Sequence, residues 1–268
     1  MTFTRNESGK LPRNIEDVCV VCHETVVLVF ACSCRESLVM PNPGFRIAKY
    51  DHDLGQLNDL VCQLLRATRD AMTLACEALN ERNVEKAEFV VHNDDTIDHL
   101  ELMVHKTASD LIMRYQPISN DLRQILASMR VASDLERIGD TAESIARRVA
   151  GLGDKPMLAV RRIGALAALV LERFNSLVEA YETRSAVNAD DIREHDEDVD
   201  RAYMEASGDI LSMMENDPTF VRAGAQLLSM AKSFERVGDR LTNVAEQILF
   251  EIDGKTEFAH RPRVGSGS

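Results

Sequence analysis

A six-residue motif occurs twice in the chain: Leu135-Glu-Arg-Ile-Gly-Asp140 returns 99 residues later as Phe234-Glu-Arg-Val-Gly-Asp239. Four positions are identical, and the other two keep an apolar side chain. Upstream of it, the pair Asp94 and Asp98 returns as Asp196 and Asp200, at an offset of 102. Two recurrences in the same order mean that the chain is built from two copies of one structural unit, so whatever one half folds into the other must also adopt.

The apolar residues around these recurrences are spaced by three and four. Leu54, Leu57, Leu60, Val61, Leu64, Leu65, Met72, Ala75 and Leu79 trace one face of a long helix beginning at Asp51. A turn near 80–83 leads to a second helix through Val90, Ile97, Leu100, Val104, Leu111 and Tyr115, which stops before Pro117. A third opens at the capping residues Ser119 and Asn120, carries Ile125, Ala132, Leu135, Ile138, Ala142 and Ile145, and is ended by Gly151, Gly153 and Pro156. Three more helices follow, at about 157–184, 188–215 and 219–252, the last stopping at Gly254. The spacing predicts an all-α fold: six helices as two tandem three-helix bundles, over 48–153 and 156–258, with a flexible tail at 259–268.

Residues 1–45 follow no helical period. They hold four of the six cysteines and the breaker run Pro41-Asn42-Pro43-Gly44, and they read as an extension ahead of the bundles, either disordered or lying upstream of a true start at Met40. Cys19, Cys22, Cys32 and Cys34, with His23 beside them, supply enough soft ligands for a tetrahedral zinc ion. The spacing argues against it, because the second pair lacks one residue of a Cys-x-x-Cys knuckle and the nine residues between the pairs are mostly apolar.

Composition narrows the function classes. Asp and Glu number 44 against 31 Lys and Arg, a formal net charge of −13, which disfavours a nucleic-acid partner. The longest apolar run, 18–34, is interrupted by His23 and Glu24 and is too short to span a bilayer, and the acids ahead of it do not suit a secretory signal. The expectation is a cytoplasmic protein with reduced cysteines and no direct membrane insertion.

Each of the four repeated motifs sets two carboxylates at i and i+4, neighbours on one helical face. Their abundance alone proves nothing: 44 acids in 268 residues yield about seven such pairs by chance on an all-helical chain. Their placement is informative, because in each repeat the two pairs lie on consecutive helices that can face each other. Bare, the like charges repel; bridged by a hard divalent cation, they become ligands. A solvated acidic face is the competing reading. Gly139 and Gly238, costly inside a helix, point to close approach of a neighbouring helix.

At these residues the chain resembles the PhoU family of phosphate-signalling regulators. The resemblance rests on the two Glu-Arg-x-Gly-Asp motifs, the Asp-x-x-x-Asp pairs one helix earlier, and Gln116-Pro117-Ile-Ser-Asn-Asp121-Leu-Arg123, and it runs over about 48–260 in register through both repeats. It implies metal binding by Asp94, Asp98, Glu136, Asp140, Asp196, Asp200, Glu235 and Asp239, with Mg, Mn, Fe or Zn as the candidate metals. It further implies a homodimer without catalytic residues that binds the phosphate ABC transporter ATPase and a sensor histidine kinase, restraining phosphate uptake and the starvation response. The second repeat departs from the pattern, with Asn216-Asp217-Pro218 in place of the Gln-Pro stretch, and the first 39 residues have no family counterpart.

Two other readings compete. A carboxylate-bridged metal oxidase needs Glu-x-x-His pairs, whereas Glu88 with His92 and Glu101 with His105 are spaced by four. A metal-free scaffold would dock a basic partner on its acidic faces. Arg123, Arg147 and Arg148 are candidate partner-binding residues, and Arg147, Arg148, Lys155, Arg161 and Arg162 around the inter-repeat linker serve equally well to cap helix ends. His195 beside Asp196 reads as an exposed helix histidine, and Cys62 and Cys76 as packing residues.

Overall fold

A computed structural model describes residues 18–23, 26–31, 43–149 and 157–254. The chain divides into two compact units, 1–46 and 47–268. In the first, β1 (Val18–His23) and β2 (Val26–Ala31) pair antiparallel, with Cys19 opposite Phe30 and Cys22 opposite Val27. The β-branched run that follows no helical period is a strand pair. Cys32 and Cys34 lie outside the described residues.

The helical body comprises α1 (Pro43–Glu81), α2 (Val84–Tyr115), α3 (Ser119–Val149), α4 (Met157–Thr183), α5 (Ala186–Glu194), α6 (Asp196–Asn216), a 3₁₀ turn (Pro218–Phe220) and α7 (Val221–Asp253). Among the described residues six helical paths are present as expected, with two corrections. The first helix begins eight residues before Asp51, because Pro43 is a helix starter at a first-turn position where no backbone donor is needed. The fifth is interrupted at His195, whose backbone (φ −101°, ψ 21°) leaves the α region and separates α5 from α6.

Local chemistry sets the turns. Asn83 Oδ1 accepts from the Lys86 backbone N–H to cap α2, and Gln116 closes its other end in the left-handed region at φ 48°. Ser185 caps α5 in the same way as Asn83 caps α2. The predicted stripe on α1 is buried: Leu57, Val61, Leu64, Leu65, Met72, Ala75 and Leu79 have no exposed surface. Full burial of each larger side chain contributes about 1.5–3 kcal/mol. In the second bundle Phe174, Phe220 and Phe234 fill the core. Cys76 is part of the packing, its thiol pushed up to about 12 by burial, and Cys62 is half-buried.

The bundles share an interior through α3 and α7, which run antiparallel: Arg240 meets Asp134 at 3.2 Å, and Arg130 Nη1 donates to Gln247 Oε1 at 3.2 Å. Arg66 of α1 pairs with Glu182 of α4 at 2.5 Å. Where α2 turns into α3, Tyr50 and Tyr115 pack edge to face with centroids 5.0 Å apart; their hydroxyls donate to Asp121 and Asp53, respectively, each at 2.8 Å. Among the described residues no helix is long and apolar enough to cross a membrane.

Candidate functional site

Gly139 sits where α3 crosses α2. A Cβ added there would lie 3.0 Å from two carbons of Ile97 and 3.6 Å from Asp94 Oδ1. Gly238 holds the equivalent place on α7, where an added Cβ would meet Val199 Cγ1 of α6 at 2.9 Å. Ile97 and Val199 are related by the same offset of 102 as the aspartates. The absent side chains let the helices come close enough for carboxylates on one to confront carboxylates on the other.

In the first repeat that confrontation is electrostatically costly. Asp94 is pushed up to about 6, by burial first and then by the charges of Glu143, Asp98, Asp140 and Asp95. Asp98 is raised by burial and by Asp140, Asp95, Glu101 and Glu143; Glu136 is raised by burial and by Asp140, Glu101 and Asp98. The four residues predicted from the motifs therefore share one face, joined by Glu101 and Glu143, which lie outside the motifs. Glu101 is half-buried and held 3.0 Å from His105 Nε2; Ser133 Oγ donates to its Oε1 at 3.3 Å. Glu143 is paired with Arg147.

The second repeat brings Asp196, Asp200 and Glu235 together: burial raises Asp200, and the charges of Asp196 and Glu235 raise it further. Here the protein supplies its own compensation. Lys232 Nζ lies 2.7 Å from Glu235 Oε2 and opposes the shift at Asp200, and Thr242 Oγ1 donates to Asp196 Oδ1 at 2.8 Å. Asp239 lies one turn beyond Glu235 on α7 and is half-buried.

Hard oxygen donors, paired across two helices and partly removed from water, match the needs of a divalent cation. Among the described residues, however, no three His, Cys, Asp or Glu side chains converge as a preformed ligand group. The donor set fits by its chemistry; its side chains would have to converge further to ligate.

The other predicted residues make contacts within the chain. Arg123 donates to Asn120 Oδ1 at 2.6 Å and packs against Gly254 beyond the end of α7. Arg147 pairs with Glu143, and Arg148 donates to the carbonyl and hydroxyl of Ser144 one turn back, as a helix-end cation does. Arg162 pairs with Asp209 at 2.8 Å, and Lys155 lies outside the described residues. His195 is exposed, its Nδ1 2.9 Å from the Asp191 carbonyl oxygen. Ser133, His105 and Glu101 touch one another, but serine and glutamate both meet the histidine at Nε2, which is not the relay arrangement of a nucleophile triad.

A PhoU domain model matches the chain at residues 61–149 and 163–248, one match in each bundle. The phosphate-specific transport system accessory protein PhoU homolog of Rhizobium meliloti is 32% identical over 220 residues, covering 81% of this chain and 92% of the relative. The protein of the same description from Zymomonas mobilis is 33% identical over 215 residues, covering 79% and 90%. The crystal structure of PhoU from Pseudomonas aeruginosa superposes with a TM-score of 0.72 at 26% identity, covering 77% of this chain and all of that one.

Proposed function

The chain belongs to the PhoU domain family, and from that membership we propose that it is an accessory regulator of phosphate-specific transport, acting by binding rather than by catalysis. The observation that carries the reading is the match in register across both bundles, together with relatives described as accessory proteins of a phosphate transport system. On this reading it is a cytoplasmic homodimer that restrains the transporter through its ATPase and keeps a partner sensor histidine kinase from starting the starvation response. The acidic faces serve as cation sites: Asp94, Asp98, Glu136 and Asp140 in the first bundle, Asp196, Asp200, Glu235 and Asp239 in the second. A bound divalent ion would supply positive charge that cancels their repulsion and locks the facing helices together.

Deletion of the gene tests the regulatory role. Phosphate uptake and starvation-response output are expected to rise in phosphate-replete medium, and unchanged phosphate control would remove the proposal. Replacing Asp140 and Asp239 by Ala, with metal analysis of the purified protein, tests the cation role separately. A specific observation favours the metal-free alternative in the second bundle only: Lys232 already occupies that face as a counter-ion, so a basic side chain from a partner would find a similar place there.

A further inference from the structure

Between α3 and α7 lies a cleft of about 510 Å³ whose charge is opposite to that of the rest of the molecule. Arg137 and Arg148 of α3 and Lys232, Arg236 and Arg240 of α7 line it, with Asp140 as the single acid. In a chain of net charge −13 this is a local reversal. Asp134 pairs with Arg240 and Glu235 with Lys232; allowing for these and for Asp140, a surplus of two positive charges remains.

The five cations are not equally engaged. Arg148 is tied to Ser144 of its own helix. Arg137 and Arg236 form no side-chain hydrogen bond or close ion pair with any described residue, and both are exposed. They are the same position of the repeated motif, 99 residues apart, and the antiparallel packing of α3 on α7 places them on opposite walls of one cleft. A guanidinium offers a planar fork of donors that matches two oxygens of an oxyanion at once. Two such forks facing one space, each lacking an acceptor, specify an anion with oxygens on more than one side. The volume is that of a small-molecule site rather than a flat docking surface.

We infer that the α3/α7 cleft binds a phosphate-class oxyanion, either free phosphate or the phosphoryl groups of a small metabolite, held between Arg137 and Arg236 with Lys232 and Arg240 adding field. Tetrahedral oxygens engage forks from two walls, whereas a planar carboxylate satisfies one. The site rests on charge and geometry alone and stands whether or not the chain regulates phosphate transport.

Titration calorimetry of the full chain in low salt with chelator, using inorganic phosphate, tripolyphosphate and acetate, tests it. One saturable site per chain is expected for a phosphate-class probe. Losing a charge-assisted hydrogen-bond donor in R137Q or R236Q should weaken it at least about tenfold. Saturation by phosphate identifies the free ion, and saturation by tripolyphosphate alone identifies a phosphoryl chain; either supports the site. Absence of binding, undiminished binding in the double variant, or acetate bound as tightly as the phosphate probes would overturn it. Should the double variant misfold, arginine modification of the unaltered chain replaces it. Phosphate or tripolyphosphate should protect Arg137 and Arg236 while leaving the exposed Arg161 reactive, and equal modification with and without the anion would likewise overturn the site.

Discussion

In the first bundle, Asp94 feels the charge of Glu143; in the second, the residue at the same place is Thr242, and its hydroxyl donates to Asp196. In the first bundle, Ser133 stands three residues before the motif glutamate; in the second, that place holds Lys232, paired with Glu235. Three exchanges at equivalent positions, the third being Tyr203 where the first repeat has Glu101, thus turn a face of mutually repelling acids into one that is partly neutralised from within. The lesson is that a repeat preserves geometry more faithfully than charge. The paired carboxylates and the crossing glycine are common to both halves, while the groups that decide how much an external cation gains lie just outside the motif.

If that contrast governs cation binding, the largest effect is on metal-dependent stability. Mn²⁺ or Mg²⁺ at a hundred times its Kd should stabilise the metal-free protein by about 2.7 kcal/mol. D94N with D140N should remove most of this, and D200N with D239N less. Calorimetric unfolding with and without metal measures both; equal losses would erase the contrast, and no metal effect would discard the cation role. Next in size is the helix crossing. G238A gains about 1 kcal/mol of helix propensity but forces Cβ to 2.9 Å from Val199 Cγ1 and 3.3 Å from its stiff Cβ. A net loss of about 1–2 kcal/mol in urea unfolding is expected, and a smaller one for G139A, whose neighbours stand at 3.0 Å.

Exchanging the counter-ion should move affinities by a few-fold, the scale of an exposed ion pair, about 0.2–1 kcal/mol. S133K should weaken cation binding at the first face and K232S strengthen it at the second, read by titration on chains with the other face disabled. Smallest is the pH response without metal. Asp94 is raised in the folded state, so folding takes up a proton between its ordinary value and about 6. Its favourable contribution is full below the unfolded value and is lost as pH rises through about 6. Thermal stability should therefore fall from pH 5 to 7, and D94N should flatten the slope by about 2 °C. D200N should flatten it less, since Lys232 opposes the shift there.

Much of this was legible in the chain. The three-and-four spacing marks the buried faces of α1, α2 and α3, and the glycines announce the crossings that the structure places against Ile97 and Val199. The break at His195 was not, because neither glycine nor proline stands there and the acidic run Asp196–Asp198 suits a first helical turn as well as a solvent face. Pro43 read as a breaker only because a proline stops a helix from within and starts one at its head. Lys232 could have been noticed by extending the offset of 99 three residues upstream of Glu235, to Ser133. The α3/α7 cleft has no local signature at all; its walls are equivalent residues that only tertiary packing brings together.

The interruption at His195 has an electrical consequence. By restarting the helix, it gives α6 a first turn of its own, with Asp196, Glu197 and Asp198 on it. The unpaired amides of a helix start amount to roughly half an elementary positive charge. Asp94 and Asp98, in the middle of the continuous α2, have no such backing. The second face thus draws part of its counter-charge from the peptide backbone itself, which no side-chain substitution can remove; only re-fusing α5 to α6 into one unbroken rod would.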